Sequence, residues 1–263
     1  MFFNLGNAKI IICSDISTLF MNGVLRNNII FFKEVESTNQ KAISIIKENT
    51  KSLPFVVSTD FQTLGKGQLQ NKWESENGKN ILISVAIKTN IKLENKFILN
   101  VIASLAVLDL LDYFHLENTS VKWPNDILVE NRKIAGILIQ NKVLLEIITT
   151  SIIGIGLNIN QSHFSQFTRD ATSVKNENIT NLSISEIIDR LLDLLQLRFS
   201  KLDSENWKDY FEKLYLKDKL SPFEINGTKQ MGIVKEVKRD GAIVLETADG
   251  IRKFQIQQIK FLI

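Results

Sequence analysis

The chain has 263 residues, of which 44% are hydrophobic, and its 32 Lys and Arg residues against 29 Asp and Glu residues give a net charge of +3. This composition is ample for a packed core, but the charge bias is too small to indicate a general nucleic-acid surface. A single cysteine, Cys13, excludes an intramolecular disulfide framework and a cysteine-cluster metal site, as expected for a reducing cytoplasm.

The first 27 residues form an N-terminal extension for which the sequence predicts no role. They lack a basic leader region, and Lys9, Asp15 and Asn22 interrupt the apolar residues. We therefore expect no signal peptide. We also expect no membrane-spanning segment, since the sequence contains no run of 18 apolar residues. These features predict a cytoplasmic protein.

A strand, a helix and two further strands are predicted next. The strand covers 31–34, and Ser37 with Gln40 forms a Ser-x-x-Gln capping box at the start of a helix that ends at Lys47. Ala42, Ile43 and Ile46 are expected to face the core. The β-rich runs 55–59 and 81–87 flank a polar glycine loop at 65–78, and such loops often carry function.

The rest of the large domain is predicted to be a buried helix, four strands and two amphipathic helices. Their expected ranges are 95–114 for the first helix, 120–129, 132–140, 143–149 and 151–159 for the strands, and 183–201 and 204–217 for the last helices. From Ser221 the pattern changes to short alternating strands with Asp-Gly turns. We therefore divide the chain into 1–27, 28–220 and 221–263.

The segments 121–128 and 132–138 concentrate cations, an amide, a carboxylate and a glycine between apolar residues. Pro124 cannot donate to a sheet ladder, so it should bend the strand and turn Asn125 and Asp126 out of the pleat. After a turn at 130–131, the chain returns and carries Lys133 to the same end as Asp126. The pattern predicts a lysine and a carboxylate in one pocket, a site for anionic chemistry.

Two glycine-containing segments are candidates for close backbone contact with a ligand. The segment 65–68 resembles no Walker loop and on its own would be an ordinary turn, but its glycines would let backbone amides approach an anion. The segment 154–156 is not a dinucleotide fingerprint, because Ile159 stands at the third glycine position and no helix is expected to follow. We interpret it as a strand in close backbone contact with a ligand.

The aromatic residues and histidines carry less information. Trp73 lies in a polar loop, where either a core position or a partly exposed ring that stacks on adenine is plausible. Trp123 and Trp207 are predicted to be core residues. His115 and His163 are the only histidines, and neither lies in a recognisable catalytic arrangement, which argues against a triad hydrolase.

Five motifs in order resemble those of biotin protein ligases: 37–40, 62–67 followed by Trp73, 122–126, 133–138 and 154–160. The resemblance extends from about Asn28 to the C-terminus. It implies an α+β fold with a mixed sheet like that of class II aminoacyl-tRNA synthetases, flanking helices and a small C-terminal SH3-like β-barrel. It also implies ATP-dependent activation of biotin as biotinyl-5'-AMP and its transfer to a lysine of a carrier protein. Because 1–27 is too short for a winged helix-turn-helix domain, the chain looks like a non-regulatory ligase.

The resemblance also assigns site residues. Lys133, Asp126 and Lys122 are implied to be catalytic. Biotin would contact Ser37, Thr38, Asn39 and Gln62 through its ureido ring, Gly136, Leu138, Gly154 and Leu157 as floor and wall, and Gly65, Lys66 and Lys133 nearby. The ATP and adenylate contacts would be Gly65, Lys66, Gly67, Gln68, Trp73, Asn125 and Asn158, with Asn158 also reaching Mg²⁺ through phosphates.

The expected substrates are therefore biotin and ATP with Mg²⁺, and the expected partner is the biotin carboxyl carrier domain of a carboxylase. We expect no DNA or membrane partner, and a monomer or weak homodimer. The glycine loop departs from the family pattern, because Lys66 and Gln68 replace common arginines and Gln70 replaces a glycine, which leaves adenylate retention open.

Two alternative functions fit the sequence less well. A lipoate or octanoate ligase has a related fold, but Lys-Trp-Pro-Asn-Asp at 122–126 argues against it, and no Arg-Arg-x-Ser-Gly-Gly run is present. A biotin-sensing repressor would need a DNA-reading domain, for which the extension is too short and too apolar.

Overall fold

The computed structural model describes residues 24–68, 71–165, 171–179, 182–201 and 203–262. Its larger part is a seven-stranded mixed sheet in the order β1-β2-β3-β7-β6-β5-β4. The strands are β1 Ile29–Val35, β2 Phe55–Gln62, β3 Asn80–Lys92, β4 Thr119–Lys122, β5 Asp126–Val129, β6 Arg132–Leu144 and β7 Ile147–Asn158. Only β1 and β2 pair in parallel within this sheet, and α1 (Thr38–Lys47) is the crossover between them. The expected mixed sheet with flanking helices is confirmed.

Each strand divides its side chains between two faces of the sheet. One face packs against α2 (Ile98–Tyr113) and α3 (Ile184–Ser200), while α4 (Asp203–Glu212) packs against α2, and together they form the main core. The opposite face carries a smaller apolar cluster beneath α1, in which Ala42 and Ile45 are buried and Ile43 and Ile46 are half-buried. No helix in the described part of the chain is long and apolar enough to cross a membrane.

A second sheet follows, with five antiparallel strands in the order β11-β10-β9-β8-β12. Its strands are β8 Leu220–Ile225, β9 Thr228–Val237, β10 Ile243–Thr247, β11 Gly250–Phe254 and β12 Ile259–Phe261. The indole of Trp123 donates to the carbonyl of Gly241 at 2.9 Å, and this buried bond joins the two sheets. The sheet begins one residue before the expected boundary; the three-part division and the SH3-like assignment stay predictions.

Four predicted elements need correction. The segment 120–129 is a hairpin, because β4 ends at Lys122 and Lys122 pairs with Asp126 across the turn. β6 and β7 turn at Leu145 and Glu146, both with positive φ, so the separate strand expected at 143–149 is wrong, whereas the strand expected at 151–159 lies within β7 except for its last residue. The first long helix begins at Ile98, after a short 3₁₀ turn over Leu93–Asn95.

The last helix was expected to continue to residue 217 but ends at Glu212. Beyond it, the backbone turns to β4: Val121 N–H donates to the Lys213 carbonyl, and Tyr215 N–H donates to the Val121 carbonyl. Pairing with a sheet edge therefore replaces the last predicted helical turn.

Candidate functional site

The candidate site is a cavity of about 310 Å³ on the sheet face that carries α1. On this face, β7 carries Gly154 and Gly156 where larger side chains could stand. The alternate residues point into the main core, and they are Ile153, Ile155 and Leu157. In the neighbouring strand, Gly136 pairs with Gly156. Three missing side chains in adjacent strands therefore leave a hollow in the sheet surface.

The N-terminus of α1 forms one end of this cavity, and its capping differs from the prediction. Ser37 occupies the N-cap position, but its side chain makes no capping bond, so the predicted capping box is wrong. Gln62, at the end of β2, takes over that role: its Oε1 accepts the backbone N–H of Thr38 at 2.8 Å. A side chain distant in sequence thus satisfies the helix, and Ser37 and Thr38 both line the cavity.

Asn39 also lines the cavity, but its amide is engaged within the protein. Nδ2 donates to the Leu138 carbonyl at 3.1 Å and to Gln140 Oε1 at 3.0 Å, and Oδ1 accepts from Ser84 Oγ at 2.6 Å. Both amide hydrogens are used within the protein, so only a lone pair of Oδ1 is left for a ligand, and the predicted contact of Asn39 with biotin stays a prediction. A Cβ on Gly154 would lie only 2.4 Å from Asn39 Oδ1, so a glycine at this position leaves room for the Asn39 side chain.

An ion pair lies in the wall of the cavity. Lys133 Nζ is 2.6 Å from Asp126 Oδ1, and both side chains are half-buried. A β-bulge between Ile127 and Leu128 shifts the register of β5 against β6, so Asp126 faces Gly136. The predicted juxtaposition of a lysine and a carboxylate in one pocket is therefore present.

Asn125 and Lys122 flank this pair. Asn125 is buried, and its Nδ2 donates to the Ile137 carbonyl at 2.9 Å while its own carbonyl accepts the Ile137 N–H. It therefore fastens the turn between β4 and β5 to β6. Lys122 Nζ lies 5.7 Å from the ring centroid of Phe261, which brings β12 to the cavity wall.

The glycine loop is a small hairpin over the cavity. Gly67 N–H donates to the Asn71 carbonyl, and Trp73 N–H donates to the Gly65 carbonyl. Gly65 does not line the cavity: a Cβ there would lie 2.4 Å from the Trp73 carbonyl oxygen, so it serves the hairpin backbone. Lys66, Gly67 and Gln68 do line it, whereas Gln70 lies outside the described residues.

Trp73 is half-buried, and its ring lies on the glycine floor. Ideal Cβ atoms on Gly156 and Gly136 would approach the ring to 2.6 and 3.0 Å, and Lys133 Nζ lies 5.6 Å from the ring centroid. Its Nε1 is buried without a hydrogen-bond partner in the described structure. The ring is therefore half-buried at the cavity, as in the partly exposed alternative, and its stacking on adenine stays a prediction.

Two predicted contacts lie elsewhere. Leu157 is fully buried in the main core, because strand alternation directs it away from Gly156, so its assignment to the cavity wall is wrong. Asn158 Nδ2 donates to the Thr172 carbonyl, and its buried Oδ1 has no partner among the described residues. Asn158 does not line the cavity either, and its role toward adenosine and magnesium stays a prediction.

Sequence reasoning missed several residues. Ser84 and Gln140 contact Asn39, and Leu82, Asn71 and Lys72 line the cavity. Ser84 was detectable, since it is the one hydroxyl in the apolar run 81–87. Ile259, Lys260 and Phe261 also line the cavity, and no local pattern marks them.

Comparison with known proteins identifies relatives of this chain. A model of the biotin/lipoate A/B protein ligase family matches residues 31–158. The bifunctional ligase/repressor BirA of Bacillus subtilis is 28% identical over 250 residues, which cover 90% of this chain and 75% of that protein. The biotin–[acetyl-CoA-carboxylase] ligase of Mycobacterium tuberculosis is 27% identical over 199 residues, 73% of each chain.

Solved structures share the fold. The biotin protein ligase of Aquifex aeolicus in complex with biotin and ATP superimposes with a TM-score of 0.71 at 23% identity, covering 89% of this chain and 98% of that one. The biotin protein ligase of Leishmania major in complex with biotinyl-5-AMP gives a TM-score of 0.59 at 22% identity, covering 87% and 98%.

Proposed function

Residues 31–158 belong to the biotin/lipoate A/B protein ligase family, and on this premise we propose that the chain is a biotin protein ligase. It activates biotin with ATP as biotinyl-5'-AMP and transfers the biotinyl group to a lysine of a biotin carboxyl carrier protein. The observation that carries the proposal is the cavity itself, whose polar end at Thr38 and Gln62 is continuous with the Lys133–Asp126 pair.

The charge of the cavity supports binding of anions. Its described lining contains five lysines, Lys66, Lys72, Lys122, Lys133 and Lys260, against the single carboxylate of Asp126. Its volume lies within the range of about 300–1,000 Å³ that small-molecule sites occupy. A biotin carboxylate and a triphosphate repel each other, and concentrated cations reduce that repulsion as the two are brought together.

In the first half-reaction, a biotin carboxylate oxygen attacks the α-phosphorus of ATP. The new P–O bond forms as the bond to the bridging oxygen breaks, and pyrophosphate leaves with the electron pair. Lys133 contacts the carboxylate and then the phosphate formed from it, and Lys122 adds positive charge from the β4–β5 turn. Both lysines stabilise the charge that develops in the transition state.

In the second half-reaction, the neutral amine of the acceptor lysine attacks the acyl carbon, an amide forms and AMP leaves. The attacking nitrogen must lose a proton, and Asp126 is the carboxylate that orients the amine or accepts that proton. Lys133, which acts in the first half-reaction, contacts Asp126, which acts in the second. This contact therefore links the two half-reactions.

The glycine hairpin and Trp73 are proposed to enclose the adenylate. Lys66, Gly67 and Gln68 face the cavity, and the Trp73 ring offers a stacking surface for adenine. Magnesium, which takes oxygen ligands and keeps substrate phosphates in its shell, would supply charge neutralisation. The unpartnered Oδ1 of Asn158 suits such a hard ion, and no cluster of three His, Cys, Asp or Glu residues occurs in the described ranges.

The acceptor is proposed to be a biotin carboxyl carrier domain, as the name of the Mycobacterium tuberculosis relative suggests for that protein. Because the reaction consumes ATP, we place it in the cytoplasm. We also propose that the chain works as a monomer or weak dimer, without DNA or a membrane.

The test is a direct comparison of substrates. Purified protein is incubated with ATP, Mg²⁺ and labelled pyrophosphate, and exchange is measured with biotin, lipoate or octanoate; a carrier domain is then added to follow transfer. We expect exchange and transfer with biotin alone. Exchange with lipoate or octanoate but not biotin would assign the chain to the other branch of the family. A mobility shift of an operator-like duplex without ligase activity would instead indicate a repressor.

A further inference from the structure

Both lysines of the proposed first half-reaction lie over an aromatic ring. Lys133 Nζ is 5.6 Å from the ring centroid of Trp73, and Lys122 Nζ is 5.7 Å from that of Phe261. The negative face of an aromatic ring attracts a cation that lies within about 6 Å of its centroid. Trp73 belongs to the glycine hairpin, whereas Phe261 belongs to β12. The second sheet therefore contacts one of the two lysines through a side chain of its last strand.

Two other aromatic residues hold the ring of Phe261. Phe261 pairs with the fully buried Phe223 across β12 and β8, and their rings meet edge to face with centroids 5.0 Å apart. The Tyr215 ring lies 6.4 Å away, and its hydroxyl donates to Asn131 Oδ1 at 2.6 Å. Because these contacts involve neither lysine, the position of the ring is set by the fold around it.

The backbone beside Lys122 is fixed by the same part of the chain. Val121 N–H donates to the Lys213 carbonyl at 2.8 Å, and the Val121 carbonyl accepts the Tyr215 N–H at 2.9 Å. Val121 is fully buried, so the side chain of the next residue, Lys122, points to the opposite face of the sheet, where it lines the cavity. A lysine ammonium ends a flexible four-carbon stem, and a contact at that end is needed to place it.

A ring and a carboxylate hold an ammonium group with different consequences for an anion. Lys133 contacts Asp126 at 2.6 Å, and the carboxylate offsets its charge. The ring of Phe261 carries no net charge, so it attracts the Lys122 ammonium through its quadrupole and leaves the positive charge uncancelled. An anion in the cavity therefore meets the full charge of Lys122.

We propose that Phe261 is a positioning residue whose ring holds the ammonium group of Lys122 at the cavity for the first half-reaction. There the charge of Lys122 acts on the phosphate group that biotin attacks. This inference rests on the proposed function and deepens it. The second sheet then contributes to adenylate formation through Lys122, and Phe261 itself needs no contact with the reacting atoms.

The first test changes the electrons of the ring and keeps its shape. Phe261 is replaced by 4-fluoro-, 3,5-difluoro- and 3,4,5-trifluorophenylalanine, which progressively weaken the negative face of the ring. We expect kcat of biotin-dependent pyrophosphate exchange to fall stepwise, about three- to tenfold in total, with the KM for biotin within twofold of wild type. The matched control is the same series at Phe254, a buried residue of the same sheet whose ring lies 5.1 Å from Arg252. Exchange should be unchanged there.

The second test uses ordinary substitutions at the same position. Phe261→Leu keeps an apolar side chain but removes the ring, so kcat should fall about tenfold. Phe261→Tyr keeps the ring, and its kcat should stay within twofold of wild type. Wild-type kcat in both Phe261→Leu and the trifluoro variant would overturn the proposal. The fluorinated variants keep the test decisive if Phe261→Leu does not fold.

The third test asks whether Phe261 acts through Lys122, and it needs no substrate. Lys122→Met keeps the length of the side chain and removes its charge. Trifluorination at position 261 should lower the urea midpoint of unfolding more in the wild type than in Lys122→Met. An equal change in both backgrounds would mean that the ring does not hold the lysine, and the proposal would be wrong.

The outcomes separate this inference from the function on which it rests. A wild-type protein without biotin-dependent exchange is a failure of the proposed function. Normal exchange by the wild type that fluorination at position 261 leaves unchanged is a failure of this inference alone.

Discussion

Asp126 Oδ1 and Lys133 Nζ lie 2.6 Å apart because the β5–β6 hairpin and its bulge return the chain to its own starting point. The two residues are seven positions apart in the sequence. Since both side chains are half-buried, the pair is reachable from the cavity yet partly shielded from water. The β5–β6 hairpin therefore supplies both the ammonium group of Lys133 and the carboxylate of Asp126.

Replacing Lys133 by alanine should reduce biotin-dependent pyrophosphate exchange at least about a hundredfold, because a group that stabilises developing charge is lost. The fold should persist, since the side chain is partly exposed and contributes charge rather than core volume. Lys142→Ala, in the exposed part of the same strand, is the matched control and should exchange normally. Wild-type exchange by folded Lys133→Ala would remove this lysine from the mechanism.

Asp126→Asn should separate the two half-reactions. Asparagine keeps the shape but cannot accept a proton near neutral pH, so adenylate formation should be largely retained and transfer slowed about a hundredfold. Single-turnover transfer from preformed biotinyl-5'-AMP to a carrier domain measures this directly. Glu130→Gln, at the exposed turn after β5, is the control. Unchanged transfer would leave Asp126 as a structural partner of Lys133.

Local patterns predicted the frame of the site better than its polar interior. Pro124 and the turn at Glu130 placed Lys133 near Asp126, because hairpin geometry follows from neighbouring residues. The partners of Asn39 were not predictable in this way, since Ser84 and Gln140 are 45 and 101 positions away. Their contact depends on strand order, which a single sequence does not state.

Strand alternation explains the error at Leu157. A sequence motif groups consecutive residues together, but consecutive side chains of a strand point to opposite faces of the sheet. Gly156 therefore lies at the cavity and Leu157 lies in the core. The capping box failed for a related reason. The pattern at Ser37 and Gln40 is local, but Gln62 from another strand satisfies the helix instead. The alternation of side chains along a strand distinguishes these two neighbouring residues.

Gly156→Ala should displace Trp73 from the cavity floor, because the added Cβ would lie 2.6 Å from the indole ring. If Trp73 stacks on adenine, the KM for ATP should rise about tenfold, in line with about 1–3 kcal/mol for stacking of one base. Intrinsic fluorescence should change along with it. In a Trp73→Phe background, the same glycine substitution should have a smaller effect on the KM, since the smaller ring leaves room for the methyl group.

Asp109→Ala should destabilise the helical side of the fold. Arg198 donates two hydrogen bonds of 2.6 Å to Asp109 and also contacts Asp209, which joins α2, α3 and α4. Burial alone would lower the pKa of Arg198, but these two carboxylates outweigh it and raise the pKa. The arginine therefore stays charged, and removing Asp109 should cost about 3 kcal/mol in denaturant unfolding. Lys208→Ala, which breaks an exposed pair on α4, should leave unfolding unchanged.

The wall of the cavity that begins at Ser37 is completed by Lys260 and Phe261 of β12. During synthesis on the ribosome, a nascent chain that has reached only the large sheet lacks this wall, and the bond from Trp123 to Gly241 has no acceptor yet. A chain without β12 therefore lacks one wall of the site. The site is therefore complete only when residues from both sheets are in place.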